Sequence, residues 1–279
     1  MPTEAEDAQR EQSVIEALAL MAESGEAPPS EMPTGRRAQN RLLRTREFLG
    51  TALRIVTAEG FDALTMQRLA DECDSAIGAV YRYFPSKGAL MAEVQREAID
   101  RLSTSYMIIR DRSDRRFDEL DLTPEDASMA RLVLMGRWFI ATRDAYPEEF
   151  RLLHMLFSES RNIVSDDEAV RVLSSAIRLL DKAREVVDEA VEMGNLDARG
   201  AVVDRVVTWA AAVSAAMQLG SLDIYDAELF DGIRLARDLV DDLYVAWGVD
   251  LDRLAVAKTI IDQLADEGPI APPPPHPAG

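Results

Sequence analysis

Histidine and cysteine are almost missing from this chain. Two histidines and one cysteine, Cys73, stand among 279 residues. That leaves no Ser-His-Asp or Cys-His set for nucleophilic catalysis, no internal disulfide and no multi-cysteine metal site. His154 has only His276 as a companion, too few for a histidine-based site. The chain reads as no enzyme, with no metal and no cofactor. Long apolar runs are missing as well: residues 209–217 are bounded by Asp204, Arg205 and Gln218, far short of the roughly 20 residues that cross a bilayer. The first residues lack a basic and apolar leader, so no membrane partner is expected and cytoplasm is the default. Strand-type alternation is absent, and nearly every segment has a helical period, which predicts an all-α fold. Positive charge is scarce. With 31 basic against 50 acidic side chains the net charge is −19, which argues against a polyanionic partner unless the cations gather in one place.

They do gather. Residues 1–35 carry one basic and eight acidic side chains, whereas residues 36–91 carry nine basic and six acidic. Between 36 and 54, Arg36, Arg37, Arg41, Arg44, Arg46 and Arg54 face only Glu47. At physiological salt the Debye length is about 8 Å, so a distant acidic body is screened while a local arginine patch is not.

Behind the patch the chain is organised as helices. Residues 4–22 place Val14, Ile15, Leu18 and Met21 on one face of an acidic segment. It is either a disordered leader or a piece that docks on the basic region, and the prolines at 28, 29 and 33 make residues 23–35 a linker. A helix starting near Arg41 carries Leu42, Leu49, Ala52, Leu53 and Val56 on one side and ends at Gly60. Thr65 caps the next helix, whose buried face is Leu69, Ala70 and Cys73. Asp74-Ser75 forms a turn, Ala76 to Phe84 a second helix, and Ser86 caps a third that is expected to run to about Arg112 before a polar loop over 113–122. Thr123-Pro124-Glu125-Asp126 is a helix start. Further helices are expected to about 144, over 147–158, from 165 to 194, and over 198–220, 226–247 and 250–267. Residues 268–279, with prolines at 272–275, read as a disordered tail.

Thr65 through Phe84 has the spacing of a helix-turn-helix, in which the second helix enters the major groove. With Glu59-Gly60-Phe61 ahead of it, Gly78-Ala79-Val80-Tyr81-Arg82-Tyr83-Phe84 within it and Lys87 and Leu90 behind, the segment 42–102 resembles the TetR family of bacterial transcriptional regulators. The resemblance implies a three-helix DNA-binding domain over 42–102, a regulatory and dimerisation domain over 103–267, and a homodimer on a palindromic operator in double-stranded DNA. It also implies a ligand-responsive repressor. Thr65, Tyr81, Tyr83 and Lys87 match the family's phosphate contacts, positions 75–79 and Tyr81 its base-facing residues, and Arg36, Arg37, Arg41 and Arg44 its basic arm. The family's usual turn glycine is Asp74 here, and its Ser or Thr cap is Ala76. A lost cap costs about 1 kcal/mol, so Asp74 or Ser75 is expected to take over and the second helix to begin one residue early.

The base-facing stretch Ala76, Ile77, Gly78 and Ala79 offers no side-chain donor, whereas a bidentate contact contributes about 1–3 kcal/mol of discrimination. Sequence is then read by Gln67, Ser75, Tyr81, Arg82 and apolar contact with thymine methyl groups. The alternative is a protein of this fold with degenerate base reading that works through protein contacts. In the larger part, Tyr106, Met135, Trp138, Phe139, Met155 and Trp209 serve either as ordinary core or as the lining of a cavity for an apolar small-molecule effector. Val202, Val206, Trp209, Ala212, Val213, Ala216 and Leu219, with Leu235, Leu239, Leu243 and Val245, supply apolar surface for a four-helix dimer interface.

Overall fold

The computed structural model describes residues 35–158 and 166–273, without the side chains at 37, 38, 154–158 and 166–171. Among the described residues there are ten α-helices and no strand. They are α1 (Arg36–Glu59), α2 (Met66–Glu72), α3 (Ile77–Tyr83), α4 (Lys87–Glu119), α5 (Pro124–Ala145), α6 (Pro147–Ser158), α7 (Asp166–Glu192), α8 (Val202–Gln218), α9 (Gly232–Ala246) and α10 (Leu251–Asp266). Five of these helices start at side-chain caps: Thr65 Oγ accepts from Arg68 N at 3.1 Å, Ser86 Oγ from Ala89 N at 2.8 Å, Thr123 Oγ from Asp126 N at 3.1 Å, and Asp231 and Asp250 do the same for α9 and α10. At the end of α1, Gly60 takes φ +89 while its N–H still reaches Val56 O, a backbone state that favours glycine.

The chain divides into two compact units. One runs up to Arg101 and includes Glu148–Ile177; the other holds Leu102–Pro147 and continues from Arg178 onward. The first is built on α1, whose Phe48, Leu49, Ala52, Ile55 and Val56 recur at helical spacing and are all buried. Leu64, Leu69, Val80, Phe84, Leu90 and Leu152 close the same core. In the second unit a row of rings is buried. Tyr106 lies 5.0 Å from Trp138, Trp138 6.3 Å from Phe139, and Phe139 5.2 Å from Trp209, centroid to centroid. Trp138 Nε1 donates to Ser105 Oγ at 3.2 Å. Arg131 joins α4 to α7 through Asp114 at 2.8 Å and Glu189 at 2.6 Å. Gly136 lets α5 and α9 meet: a Cβ there would stand 2.9 Å from Val240 Cγ1.

Several boundaries differ from the sequence reading for identifiable reasons. The first helix starts at Arg36 rather than Arg41, so the basic arm is helical, and Leu42 is 43% exposed instead of buried. The third helix of the head does not stop at Arg112. Asp111–Arg115 and Arg116–Glu119 are ion pairs at helical spacing, and Ser113 and Phe117 are buried, so the stretch expected as a loop is the charged face of α4. The helix expected from 226 begins at Gly232, because Asp226 caps only a local turn, accepting from Glu228 N and Leu229 N, and Asp231 provides the helix cap. Residues 268–273 are a strap rather than a free tail: Ala271 is 4% exposed, the Tyr146 hydroxyl donates to Pro272 O, and Arg112 donates to Leu264 O and Gly268 O at 3.1 Å each. The acidic segment 4–22 and residues 274–279 lie outside the described residues. One stretch, Val202–Leu222, is long and apolar enough by composition to span a membrane, with 44% of its window buried inside the protein.

Of the residues expected at a dimer interface, Val202, Val206, Trp209 and Val213 are core of their own unit. The outward stripe of α8 is instead Val207, Ala211, Ala215 and the following Leu219, with Val245 exposed on α9.

Candidate nucleic-acid interface

The head of the first unit is a bend of two short helices. Met66, Leu69, Ala70 and Cys73 anchor α2 in the core and Val80 anchors α3. Between them Asp74 adopts φ +44, a left-handed conformation that non-glycine residues rarely take, and Ser75 N returns to Ala70 O at 2.8 Å. Neither Asp74 nor Ser75 caps α3. The helix starts at Ile77, not early, with Ala76 in the cap position and no side-chain cap bond.

On this seven-residue helix Val80 is fully buried, while Ala76, Ile77, Gly78, Tyr81 and Arg82 are exposed and Ala79 is half-buried. A Cβ on Gly78 would meet nothing within 4 Å. Nothing inside the protein therefore requires glycine at this exposed first turn. Gly78→Ala is expected to raise stability by about 0.5–1 kcal/mol and to weaken duplex binding severalfold, because the methyl group stands where a bare backbone can approach a groove. Thermal melting and a binding titration check the pair of effects, and a lower melting point with unchanged binding would refute it.

The cations sort into two groups. Arg44, Arg68 and Lys87 are committed within the head. Arg44 pairs with Glu47 at 2.6 Å and donates to Cys73 O at 2.9 Å. Arg68 pairs with Glu59 at 2.5 Å and Glu72 at 3.0 Å; these hydrogen bonds raise the guanidinium pKa, and Arg68 lowers that of the Glu59 carboxyl. Lys87 Nζ donates to Phe61 O at 2.9 Å and sits 3.7 Å from the Phe61 ring; burial lowers its pKa, opposed by Asp62. By contrast Arg36, Arg41 and Arg82 are exposed and form no ion pair among the described residues, and the exposed Arg46 acts on Glu97 only at longer range.

Arg41 and Arg82, with Asn40, Arg44 and Tyr83, line an open depression of about 630 Å³. Arg41 lies 5.7 Å from the Tyr83 ring, and Tyr83 packs edge-on against Phe48 at 5.4 Å. Asn40 was not marked in the sequence; its place one turn before Arg44 was the available signal. Among the polar candidates, Gln67 gives its amide to Asp71 Oδ1 at 2.7 Å, whereas Thr65 uses only an oxygen lone pair in capping and keeps its hydroxyl proton to donate. The Arg37 side chain lies outside those described.

In the second unit Tyr106, Met135, Trp138, Phe139 and Trp209 are brought together and are each at most 6% exposed; the Met155 side chain lies outside those described. A recess of about 210 Å³ includes none of them, and its lining mixes Val133, Gly136, Ile140, Val240 and Tyr244 with the charged Arg137, Arg237, Asp238, Asp241 and Lys258. Trp209 Nε1 is buried without a hydrogen-bond partner among the described residues. No group of three or more His, Cys, Asp or Glu side chains among the described residues is placed to hold a metal.

Comparison with known proteins places this head. The family model of bacterial regulatory proteins, tetR family, matches residues 48–94. Over 73 residues the chain is 34% identical to the HTH-type transcriptional repressor KstR of Mycolicibacterium smegmatis, a match covering 26% of this chain and 35% of that protein. It is also 34% identical over 67 residues to the HTH-type transcriptional regulator YuxN of Bacillus subtilis, covering 24% of this chain and 23% of that one. The chain thus spans about a third or less of the length of these curated relatives. A TetR transcription regulator from Haloarcula marismortui superposes with a TM-score of 0.56 at 16% identity, over 74% of this chain and 98% of that one, a likeness of fold.

Proposed function

We propose, for a chain that belongs to the TetR family of bacterial regulatory proteins, that it binds operator DNA as a homodimer and represses transcription until a small apolar effector releases it. The observation that carries the DNA reading is the division of α3. Val80 is buried, and Ile77, Gly78, Tyr81 and Arg82 stand outward, with Arg82 beside Arg41, which has no ion pair among the described residues. A helix so anchored presents its N-terminal half to a major groove, while the arginines and the Thr65 hydroxyl hold phosphates and fix register. Repression is the role named for the matching KstR repressor. The stripe of Val207, Ala211, Ala215 and Leu219 supports pairing of two copies through α8, which sets two α3 helices about 34 Å apart and calls for a palindromic site. The buried ring row, in which Trp209 Nε1 and Tyr106 Oη are both without a hydrogen-bond partner among the described residues, supports an effector that is largely apolar and carries hydrogen-bonding groups.

The test is duplex selection with the full chain, then titration across salt. A palindromic motif bound by two chains is the expected result. Arg41→Gln should reduce the slope of log K on log salt by about 0.9, the effect of one released counterion. The absence of DNA donors on Ala76, Ile77, Gly78 and Ala79 favours a second reading, a TetR-fold protein working through protein contacts; failure to bind any duplex at low salt would select it.

A further inference from the structure

We propose that Arg44 is a positioning residue for α3 and not one of the phosphate contacts of the arm. The inference rests on the DNA-binding reading above, and its geometry lies wholly inside the first unit. Arg44 reaches from α1 across 29 positions of sequence to the carbonyl of Cys73, at 2.9 Å. That carbonyl belongs to the end of α2, where the last backbone oxygens lack helical partners and the helix dipole is negative. A guanidinium is the strongest neutral-backbone donor available there. Its second nitrogen is held by Glu47 at 2.6 Å, and its carbon lies 5.1 Å from the centre of the Phe48 ring. Three simultaneous holds use the fork and the plane of the group, which a lysine cannot reproduce.

The turn it grips has little else to fix it. Asp74, the next residue, stands at φ +44, a conformation glycine adopts freely and aspartate does not. No side chain caps α3, and two backbone bonds reclose the turn, Ser75 N to Ala70 O at 2.8 Å and the longer Asp74 N to Asp71 O at 3.3 Å. At its start the direction in which α3 leaves the turn is set by these bonds and the Arg44–Cys73 bond, and further along by the burial of Val80 and the packing of Tyr83 and Phe84 on Phe48. Recognition needs side chains placed within about 0.5 Å and 10–20° of the productive geometry. The core holds this seven-residue helix at Val80 and at its C-terminal end through Tyr83 and Phe84, so releasing the turn frees the N-terminal half that carries Ile77 and shifts it beyond that tolerance. Arg44 thus acts on base reading through Cys73 and the turn, without itself touching DNA.

Full-length Arg44→Met and Arg44→Lys, with Arg41→Gln as the phosphate-contact control, separate the roles. The readouts are affinity for the selected duplex and for a random-sequence duplex, across salt. For a positioning residue, both Arg44 variants lose about tenfold or more on the selected duplex, change little on random sequence, and keep the salt slope within about 0.3 of the parent. A slope reduced by about 0.9 in Arg44→Met and restored in Arg44→Lys would identify a phosphate contact and overturn the proposal. Amide hydrogen exchange on the free proteins gives a second readout that needs no DNA. The amides of Asp74, Ser75 and Ala76 should exchange about tenfold faster in both variants while Ile55 and Val56 in α1 stay protected. Unchanged exchange at the turn overturns the proposal. If the parent chain binds no duplex at all, the DNA-binding reading falls and the exchange result decides the Arg44 clamp by itself.

Discussion

Phe48→Ala is expected to lower the stability of the DNA-reading unit by about 3–5 kcal/mol, the range for emptying an aromatic site in a packed core. Phe48 is 0% exposed, meets Tyr83 at 5.4 Å and Phe84 at 6.4 Å in edge-on geometry, and carries Arg44 on its face. Removing the ring takes away its buried apolar area and the partner of both aromatics at the end of α3. Stability of most domains totals only about 5–15 kcal/mol, so one such change approaches the whole margin of a small unit. Urea denaturation monitored by far-UV circular dichroism measures it, and duplex binding should vanish in the same urea range in which the unit melts. A loss below about 1.5 kcal/mol would mean that the cluster collapses around the gap and that Phe48 is not its centre.

Arg131→Met is expected to cost the second unit about 2–3 kcal/mol, more than any exposed ion pair among the described residues. Arg131 is 19% exposed and bonds Asp114 at 2.8 Å and Glu189 at 2.6 Å. Arg110 closes the ring from the other side, at 3.2 Å from Asp114 and 3.8 Å from Glu189. Without Arg131 two partly buried carboxylates share one cation, and removing a single partner from such a set costs more than the set contributes when intact. A double-mutant cycle checks this: Arg131→Met combined with Glu189→Met should recover part of the loss. Additive losses, or a single loss under about 1 kcal/mol, would reduce the ring to a solvated surface pair.

Much of this architecture was legible because it is local. Thr65, Ser86 and Thr123 announce helix starts through side chains that act on backbone three residues away, and the period of Leu49, Ala52 and Val56 marks a buried face without knowledge of its partner, although Phe48 on that face was missed. What escaped depends on partners distant in sequence. Arg44 and Lys87 look alike as charges to Arg41, yet Cys73 O and Phe61 O take up the first two and leave the third exposed. The run from Ser113 to Glu119 resembles a loop by composition and is helix because its charges pair along one face while Phe117 is buried on the other. Ala76 lacks a cap, and no rule of spacing reveals that Asp74 would turn left-handed rather than replace it.

The strap formed by residues 268–273 bears on the order in which the chain acquires its shape. Arg112 binds backbone 152 and 156 positions away, and Tyr146 meets Pro272 across 126. Contacts of such separation are slow to form, since a long loop must close before they repay it. On the ribosome they cannot form until residues 264–272 have emerged. The cluster from Phe48 to Ala98, which Leu152 alone joins from farther along the chain, waits for much less of it. During synthesis the two units should therefore mature in sequence, with the head gathering early and the larger unit completed only when residues 268–273 reach Arg112 and Tyr146.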